Sequence, residues 1–152
     1  MTHLLVSNFQ GLYAGFRMGF YKQRTATDVP ECLTHATCEE FFFIYNFAEN
    51  AQLVDILPLV GKVASLVDDV ASCGFEDVLF DIEKFSEEND VSFPVILENL
   101  SKNLFQVISK MNEIMEITMA YPAEDPEEFY DQNMNLGKDV GSIIRYVYNF
   151  HN

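Results

Sequence analysis

Three residues of metal-binding type stand at regular spacing near one end of the chain: Cys32, His35 and Cys38. On a helix, residues three apart share a face, whereas a residue six positions on has turned away. The three side chains therefore do not converge on one tetrahedral zinc ion unless the helix breaks. A buried cysteine and a partly exposed histidine explain this spacing better than a metal site.

The other reactive residue types form no catalytic group. His3 and His151 have no partner at metal-ligand spacing, and no serine stands in a nucleophile elbow. Residues 15–19 begin and end with glycine, but no predicted strand precedes them and no Gly-Lys-Ser/Thr follows, as a phosphate loop requires. We therefore expect a non-enzymatic protein without a cofactor.

The charge balance is strongly acidic, with 24 acidic and nine basic residues among 152 and a net charge of −15. A nucleic-acid binder needs a basic patch, so nucleic acid is excluded as a partner. Simple electrostatic docking on anionic lipid is disfavoured for the same reason. Acidic clusters at 68–69, 76–77, 87–90 and 124–128 lack the ligand spacing of an EF-hand. They predict a solvated acidic surface, with low-affinity calcium binding as the sharper alternative.

Three cysteines are present, and an odd number leaves at least one thiol unpaired. Either all three are free and buried, or Cys73 forms a disulfide with Cys32 or Cys38 and clips two neighbouring helices. The N-terminus has no basic segment typical of a signal peptide. The protein is therefore expected in the cytoplasm, or outside the cell or in a secretory vesicle if a signal peptide has been removed before Met1. No apolar stretch is long enough for a confident membrane span.

Hydrophobic residues recur at helical spacing, and no alternation of period two lasts long enough for a strand. Helices are predicted at 2–23, 31–50, 53–73, 76–88, 93–120 and 126–149. The segment 125–128, Asp-Pro-Glu-Glu, is a strong helix start. Residues 1–152 are expected to form one all-α domain, a bundle of five or six helices whose apolar stripes face inward.

One stretch of the second predicted helix is apolar nearly all round. It is either the buried centre of the bundle or an interface with another chain. Its aromatic members are interface candidates: Phe41, Phe42, Phe43, Tyr45 and Phe47. A glycosylation sequon also occurs, at Asn99, on the predicted polar face of the helix at 93–120.

Glycine inside a helix costs about 1 kcal/mol relative to alanine, so repeated helical glycines need a reason. Two sets at four-residue spacing lie in the first and last predicted helices: Gly11, Gly15 and Gly19, and Gly137 and Gly141. Such spacing makes a groove in which a second backbone approaches closely. The two terminal helices are therefore expected to pack on each other, or else one groove faces another subunit.

The segment 11–20, followed by Cys32 and Cys38, resembles the start of small helical proteins of ciliates. The run 135–144 is similar to the ending of the same group, a Gly-Lys-Asp-hydrophobic-Gly pattern. Those proteins travel the secretory route and have no settled biochemical function. The resemblance implies a processed N-terminus, an oxidised cysteine pair and an extracellular or vesicular location.

Three functions fit these features. The favoured one is a structural protein that assembles with copies of itself into filaments or tubules. The alternatives are a carrier of lipid or another apolar ligand, because a Phe- and Met-rich bundle can open an apolar cavity, and an accessory subunit that docks through 41–47. Self-association should strengthen with added salt or calcium, since a net charge of −15 must be screened when identical subunits meet.

Overall fold

The computed structural model describes residues 2–25, 32, 36–37, 39–40, 43–44, 47 and 56–151. Within them lie six helices: α1 (Thr2–Phe20), α2 (Ile56–Ser72), α3 (Phe75–Glu88), α4 (Phe93–Lys102), α5 (Leu104–Met119) and α6 (Pro126–Tyr148). The short described stretches between residues 36 and 47 are helical as well. No strand occurs in these described ranges, and the predicted all-α bundle is confirmed.

The two terminal helices form the centre of the fold and run in the same direction. Gly11 of α1 lies against Tyr130 of α6, and Gly19, two turns further along, lies against Ser142. The predicted contact between the N- and C-terminal helices is therefore present within one chain. Because α1 and α6 are parallel, their C-terminal ends lie at the same end of the bundle.

The remaining long helices flank this central pair. On the α1 side, α3 runs parallel to α1, since Phe75 packs on Tyr13 with ring centroids 4.2 Å apart and Asp81 meets Tyr21 further along. On the α6 side, α5 is antiparallel to α6. The side-chain nitrogen Nδ2 of Asn103 lies 3.3 Å from the carbonyl oxygen of Tyr146 at one end of α5. Gln132 reaches the carbonyl of Ala120 at the other end.

Both ends of α6 are capped by local interactions. At its start, Oδ1 of Asp125 accepts hydrogen bonds from the amides of Glu127 and Glu128 at 3.0 and 3.1 Å, as the sequence of 125–128 predicts. At its end, Asn149 adopts the left-handed conformation with φ 53°. The amides of Asn149 and Phe150 then bond back to the carbonyls of Tyr146 and Arg145, which is a Schellman motif.

The single helix predicted at 93–120 is interrupted at Asn103, which separates α4 from α5. Nδ2 of Asn103 donates to the carbonyl of Asn99 at 3.0 Å and to the carbonyl of Tyr146 in the last turn of α6. Side-chain amides compete with the helical backbone for hydrogen bonds, so asparagine is a natural place for this break. The break ties the α4–α5 junction to the end of α6.

Asn99 is buried, with 7% of its surface exposed, and its Nδ2 donates to the carbonyl of Val147 at 3.2 Å. A glycan would be attached at that nitrogen. The predicted position of Asn99 on a solvent-facing polar surface is therefore wrong, because its amide satisfies a carbonyl at the C-terminal end of α6. The sequon is unsuited to glycosylation in the folded chain.

The predicted apolar stripe of α2 and part of that of α5 face outward instead of inward, although Val107 of α5 is buried. In α5, Met111 and Met115 are 54% and 61% exposed, and in α2 Val67 is 61% exposed. Polar side chains, including those of Asn103 and Lys110, point from α5 towards α6 in their place. The expectation that these stripes fill the core of one chain is wrong, because helical periodicity shows which residues share a face and not what that face contacts.

We expect Asn99→Ala to lower the free energy of unfolding by about 1–3 kcal/mol, because the Val147 carbonyl loses its side-chain donor. The matched control is Asn112→Ala on the exposed side of α5, which should change stability by less than about 0.5 kcal/mol. Denaturant unfolding followed by circular dichroism measures both. Equal effects would show that the amide of Asn99 does not hold the end of α6.

Candidate functional site

The contact between α1 and α6 is a backbone-to-backbone interface made possible by glycine. A β-carbon placed on Gly15 would lie 2.8 Å from the amide nitrogen of Lys138 and would overlap the carbonyl oxygen of Met134. A β-carbon on Gly19 would likewise overlap the carbonyl of Lys138. Only glycine fits at these two positions, because β-carbons do not approach backbone atoms so closely.

The second glycine set completes the interface from the other side. β-Carbons on Gly137 and Gly141 would overlap the carbonyl oxygens of Leu12 and Phe16 on α1. Each helix therefore offers glycines to the carbonyl groups of its partner, an arrangement in which weak Cα–H···O contacts recur. Gly11 lies at the N-terminal edge, where an added β-carbon would be 2.8 Å from the carbonyl oxygen of Tyr130. All five predicted packing glycines meet in this one contact.

The opposite side of α1 carries a ladder of polar aromatic residues that holds α3. The hydroxyl of Tyr13 donates to the carbonyl of Cys73 and accepts a hydrogen bond from Nη1 of Arg17 at 3.2 Å. Two turns beyond Tyr13, the hydroxyl of Tyr21 donates to Oδ2 of Asp81 at 2.6 Å. Burial, and then this hydrogen bond, raise the pKa of Tyr21 well above its ordinary value.

A disulfide between Cys32 and Cys73 lies beside this ladder, with the two Cα atoms 4.9 Å apart. It is one of the two bridges that the sequence left open. Two α1 side chains hold its backbone, because Nε2 of Gln10 donates to the Cys32 carbonyl at 3.3 Å and Tyr13 donates to the Cys73 carbonyl. The bridge joins residue 32 to the end of α2, and the two hydrogen bonds attach both to α1. Cys38 lies outside the described residues.

A charged cluster that the sequence analysis missed joins α5 to α6. Nζ of Lys110 lies 3.0 Å from Oδ1 of buried Asp139 and 2.5 Å from Oε2 of Glu113. Burial raises the pKa of Asp139, although the ammonium group of Lys110 opposes this shift. The hydrogen bond to Lys110 lowers the pKa of Glu113. The only sequence signal was the position of Asp139 between the packing glycines 137 and 141.

The candidate interface segment 41–47 is described only in part. Phe43 and Phe47 are helical and half-buried, whereas Phe41, Phe42 and Tyr45 lie outside the described residues. Just before them, the hydroxyl of Thr37 donates to Oδ2 of Asp69 at 2.6 Å. Oε1 of Glu40 lies 3.6 Å from Nζ of Lys62. These polar contacts place Thr37 and Glu40 against the polar side of α2.

Two searches of the described ranges bear on ligands and membranes. Nowhere in those ranges do three or more His, Cys, Asp or Glu side chains group closely enough to hold a metal ion. None of the described helices combines the length and apolar character that a membrane crossing requires. Low-affinity calcium binding by the acidic surface stays a prediction.

We expect Gly15→Ala to lower the free energy of unfolding by about 1–3 kcal/mol, because the new β-carbon overlaps the Met134 carbonyl. The matched control is Gly61→Ala in α2, where a β-carbon meets nothing within 4 Å. That substitution should raise stability by up to about 1 kcal/mol, since alanine favours helix. Denaturant unfolding measures both, and a shift of the same sign and size would contradict the close helix contact.

In the unreduced, denatured protein we expect one of the three thiols to react with a maleimide label, and all three after reduction. Cys38→Ser should abolish labelling before reduction without lowering stability. Cys32→Ser should cost roughly 4 kcal/mol, because the bridge closes a loop of 41 residues in the unfolded chain. Intact-mass spectrometry reads the labels, and three reactive thiols in unreduced protein from its natural source would refute the bridge.

No protein-family model, curated protein or solved structure matches this chain. The resemblance of its two ends to small ciliate proteins therefore stays a prediction. A function has to be argued from the arrangement of the side chains.

Proposed function

We propose that this chain is a non-enzymatic structural protein that assembles with copies of itself through its outward apolar faces. The observation that carries the proposal is the exposed stripe of α4 and α5. Its members follow the spacing of a coiled-coil seam, seven and then four, three and four residues apart: Leu97, Leu104, Ile108, Met111 and Met115. Sequences with this spacing pack against a second helix.

The surroundings of this seam also fit a helix–helix interface. Beside it, Nζ of Lys102 lies 2.6 Å from Oε1 of Glu98, and both side chains are largely exposed. This i,i+4 pair within α4 leaves charged groups beside the apolar seam, the position from which charges reach a partner helix in coiled coils. Phe105, which is 86% exposed, and Met119 extend the apolar surface beyond the seam. Contiguous exposed apolar surface of this extent marks an interaction site.

A second apolar face lies on α2. Its exposed members repeat every three or four residues along the helix: Leu57, Val60, Val63, Val67 and Val70. The C-terminal end of α2 is attached at the start of α3, on the α1 side of the fold. In contrast, α5 lies on the other flank, beyond α6. A subunit with two separate faces can bind two neighbours, which is the requirement for a polymer rather than a closed dimer.

The disulfide favours an extracellular or vesicular location for this assembly. Disulfides persist in oxidising compartments and are rare in the cytosol. The bridge Cys32–Cys73 therefore agrees with the secretory setting that the resemblance to ciliate proteins implies. A filament outside the cell would also need no further cofactor from the cytoplasm.

We expect the wild-type protein to sediment as large oligomers and Met111→Gln/Met115→Gln to sediment as much smaller species at the same concentration, because one of the two lateral faces is lost. Both side chains are more than half exposed, so thermal stability should change little. The control is Leu79→Gln, because Leu79 is 66% exposed on α3, away from both stripes. Oligomers should increase with salt, since screening weakens the repulsion between subunits of net charge −15.

Analytical ultracentrifugation over a range of salt and calcium concentrations makes these measurements. A wild-type protein that stays monomeric in every condition would overturn the assembly proposal. If that monomer bound neutral phosphatidylcholine vesicles through α5, the lipid-carrier alternative would replace it. The Met111→Gln/Met115→Gln variant would then lose vesicle binding instead of self-association.

A further inference from the structure

The parallel central helices make the subunit polar from end to end. The helix α6 has 23 residues and therefore spans about 34 Å. One end of the bundle carries the segment 121–128 at the start of α6. The other end carries the C-terminal turns of both α1 and α6. Two unlike surfaces thus face in opposite directions along the same axis.

The end formed by the helix C-termini contains an open cavity of about 580 Å³. Its lining includes three basic side chains, those of Lys22, Arg145 and His151, and no acidic one. Aromatic rings of Phe20, Tyr146 and Phe150 form its apolar part. Ligand cavities of this volume combine apolar walls with a few polar groups in this way.

Within the described residues, Arg145 and Lys22 of this cavity form no ion pair with a carboxylate. The guanidinium group of Arg145 lies 5.0 Å from the ring centre of Tyr146 and forms no ion pair with any described residue. Two acidic residues of α3 have other partners, because Asp81 accepts from Tyr21 and Glu88 lies 4.0 Å from Lys84.

The backbone carbonyls at this end do not compete for the cations. Those of Arg145 and Tyr146 accept from the amides of Phe150 and Asn149, and Asn103 donates to the second of them as well. The free hydrogen-bonding capacity of the cavity is therefore mainly that of cationic donors. Arginine forks match the geometry of carboxylate groups, so the cavity suits a carboxylate beside an apolar or aromatic group.

The opposite end of the subunit offers that chemistry. Glu124, Glu127 and Glu128 are exposed there, without ion-pair partners in the described part of the chain. Gln132 fixes the loop before them, since it accepts from the amide of Ala123 at 2.8 Å and donates to the carbonyl of Ala120 at 3.1 Å. The ring of Tyr121 stands in the same loop and is 37% exposed.

We propose that the acidic loop 121–128 of one copy enters the basic cavity of the next, with its glutamates on Arg145 and Lys22. This inference rests on the proposed self-assembly and adds an axial contact to the apolar lateral ones. The two surfaces differ, so the contact is heterologous and repeats without closing whenever successive subunits share one axis. The axial repeat is then on the order of the length of α6, about 34 Å.

Charge reversal at each end tests this contact in the full chain. Arg145→Glu and Lys22→Glu alter the cavity, and Glu127→Lys/Glu128→Lys alters the loop. Each variant alone should form at least tenfold less long polymer than the wild type, as measured by sedimentation. An equimolar mixture of Arg145→Glu with Glu127→Lys/Glu128→Lys should recover polymers, because the acidic loop of the first variant meets the intact cavity of the second and the two reversed ends are again opposite in charge. The controls are Lys138→Glu in the middle of α6 and Asp68→Lys in α2, exposed charges that belong to neither the cavity lining nor the loop.

The outcomes separate this contact from the assembly proposal. Polymers that survive charge reversal but disappear in Met111→Gln/Met115→Gln would overturn the axial contact and leave lateral assembly standing. Loss of polymers in the controls as well would also overturn it, because net charge alone would then explain the effect. A wild-type chain that never assembles would overturn both. Lys22 and the two glutamates are exposed, so their variants keep the test valid if Arg145→Glu fails to fold.

Discussion

The contact between α1 and α6 depends on a constraint that acts on the backbone alone. Carbonyl groups of each helix occupy the space where a β-carbon would stand on the other, at Gly15, Gly19, Gly137 and Gly141. Each glycine disfavours its own helix by about 1 kcal/mol, so the packing between the helices must offset several kcal/mol. The rest of the molecule packs around α1 and α6. Residues larger than glycine at these four positions would not allow the two helices to lie so close together.

Close approach of two backbones leaves little room for apolar side chains between them, and this explains the unusual distribution of polarity. Polar groups help to attach the flanking helices, beside a few buried apolar side chains such as Phe85 and Val107: Tyr13 and Tyr21 hold α3, whereas Asn99, Asn103 and Lys110 hold α4 and α5. Apolar residues that a single-chain core would have used remain on the outside of α2 and α5. One chain alone therefore does not bury its hydrophobic surface, which is why we propose that copies of the chain complete it.

Local signals in the sequence predicted local structure well. The helix start at Asp125, the packing glycines and a bridge to Cys73 depend on short segments or on strict steric requirements. The orientation of α5 was not predictable in this way, because Met111 and Met115 satisfy the same periodicity whether they face a core or solvent. Asn99 looked like a surface residue, since nothing in its own helix reveals that its amide meets the end of α6. The partnership of Lys110 with Asp139 needed the antiparallel register of two distant helices.

The interlocked glycines also have a mechanical consequence. Because α1 and α6 are parallel, force that pulls the start of α1 and the end of α6 apart loads their contact in shear, and all the interlocked positions resist together. Sliding by one or two residues would bring β-carbons of neighbouring residues against the carbonyls of Met134 and Lys138. The helix pair is therefore held in one register and resists sliding under load, whereas an ordinary apolar interface can slip and repack.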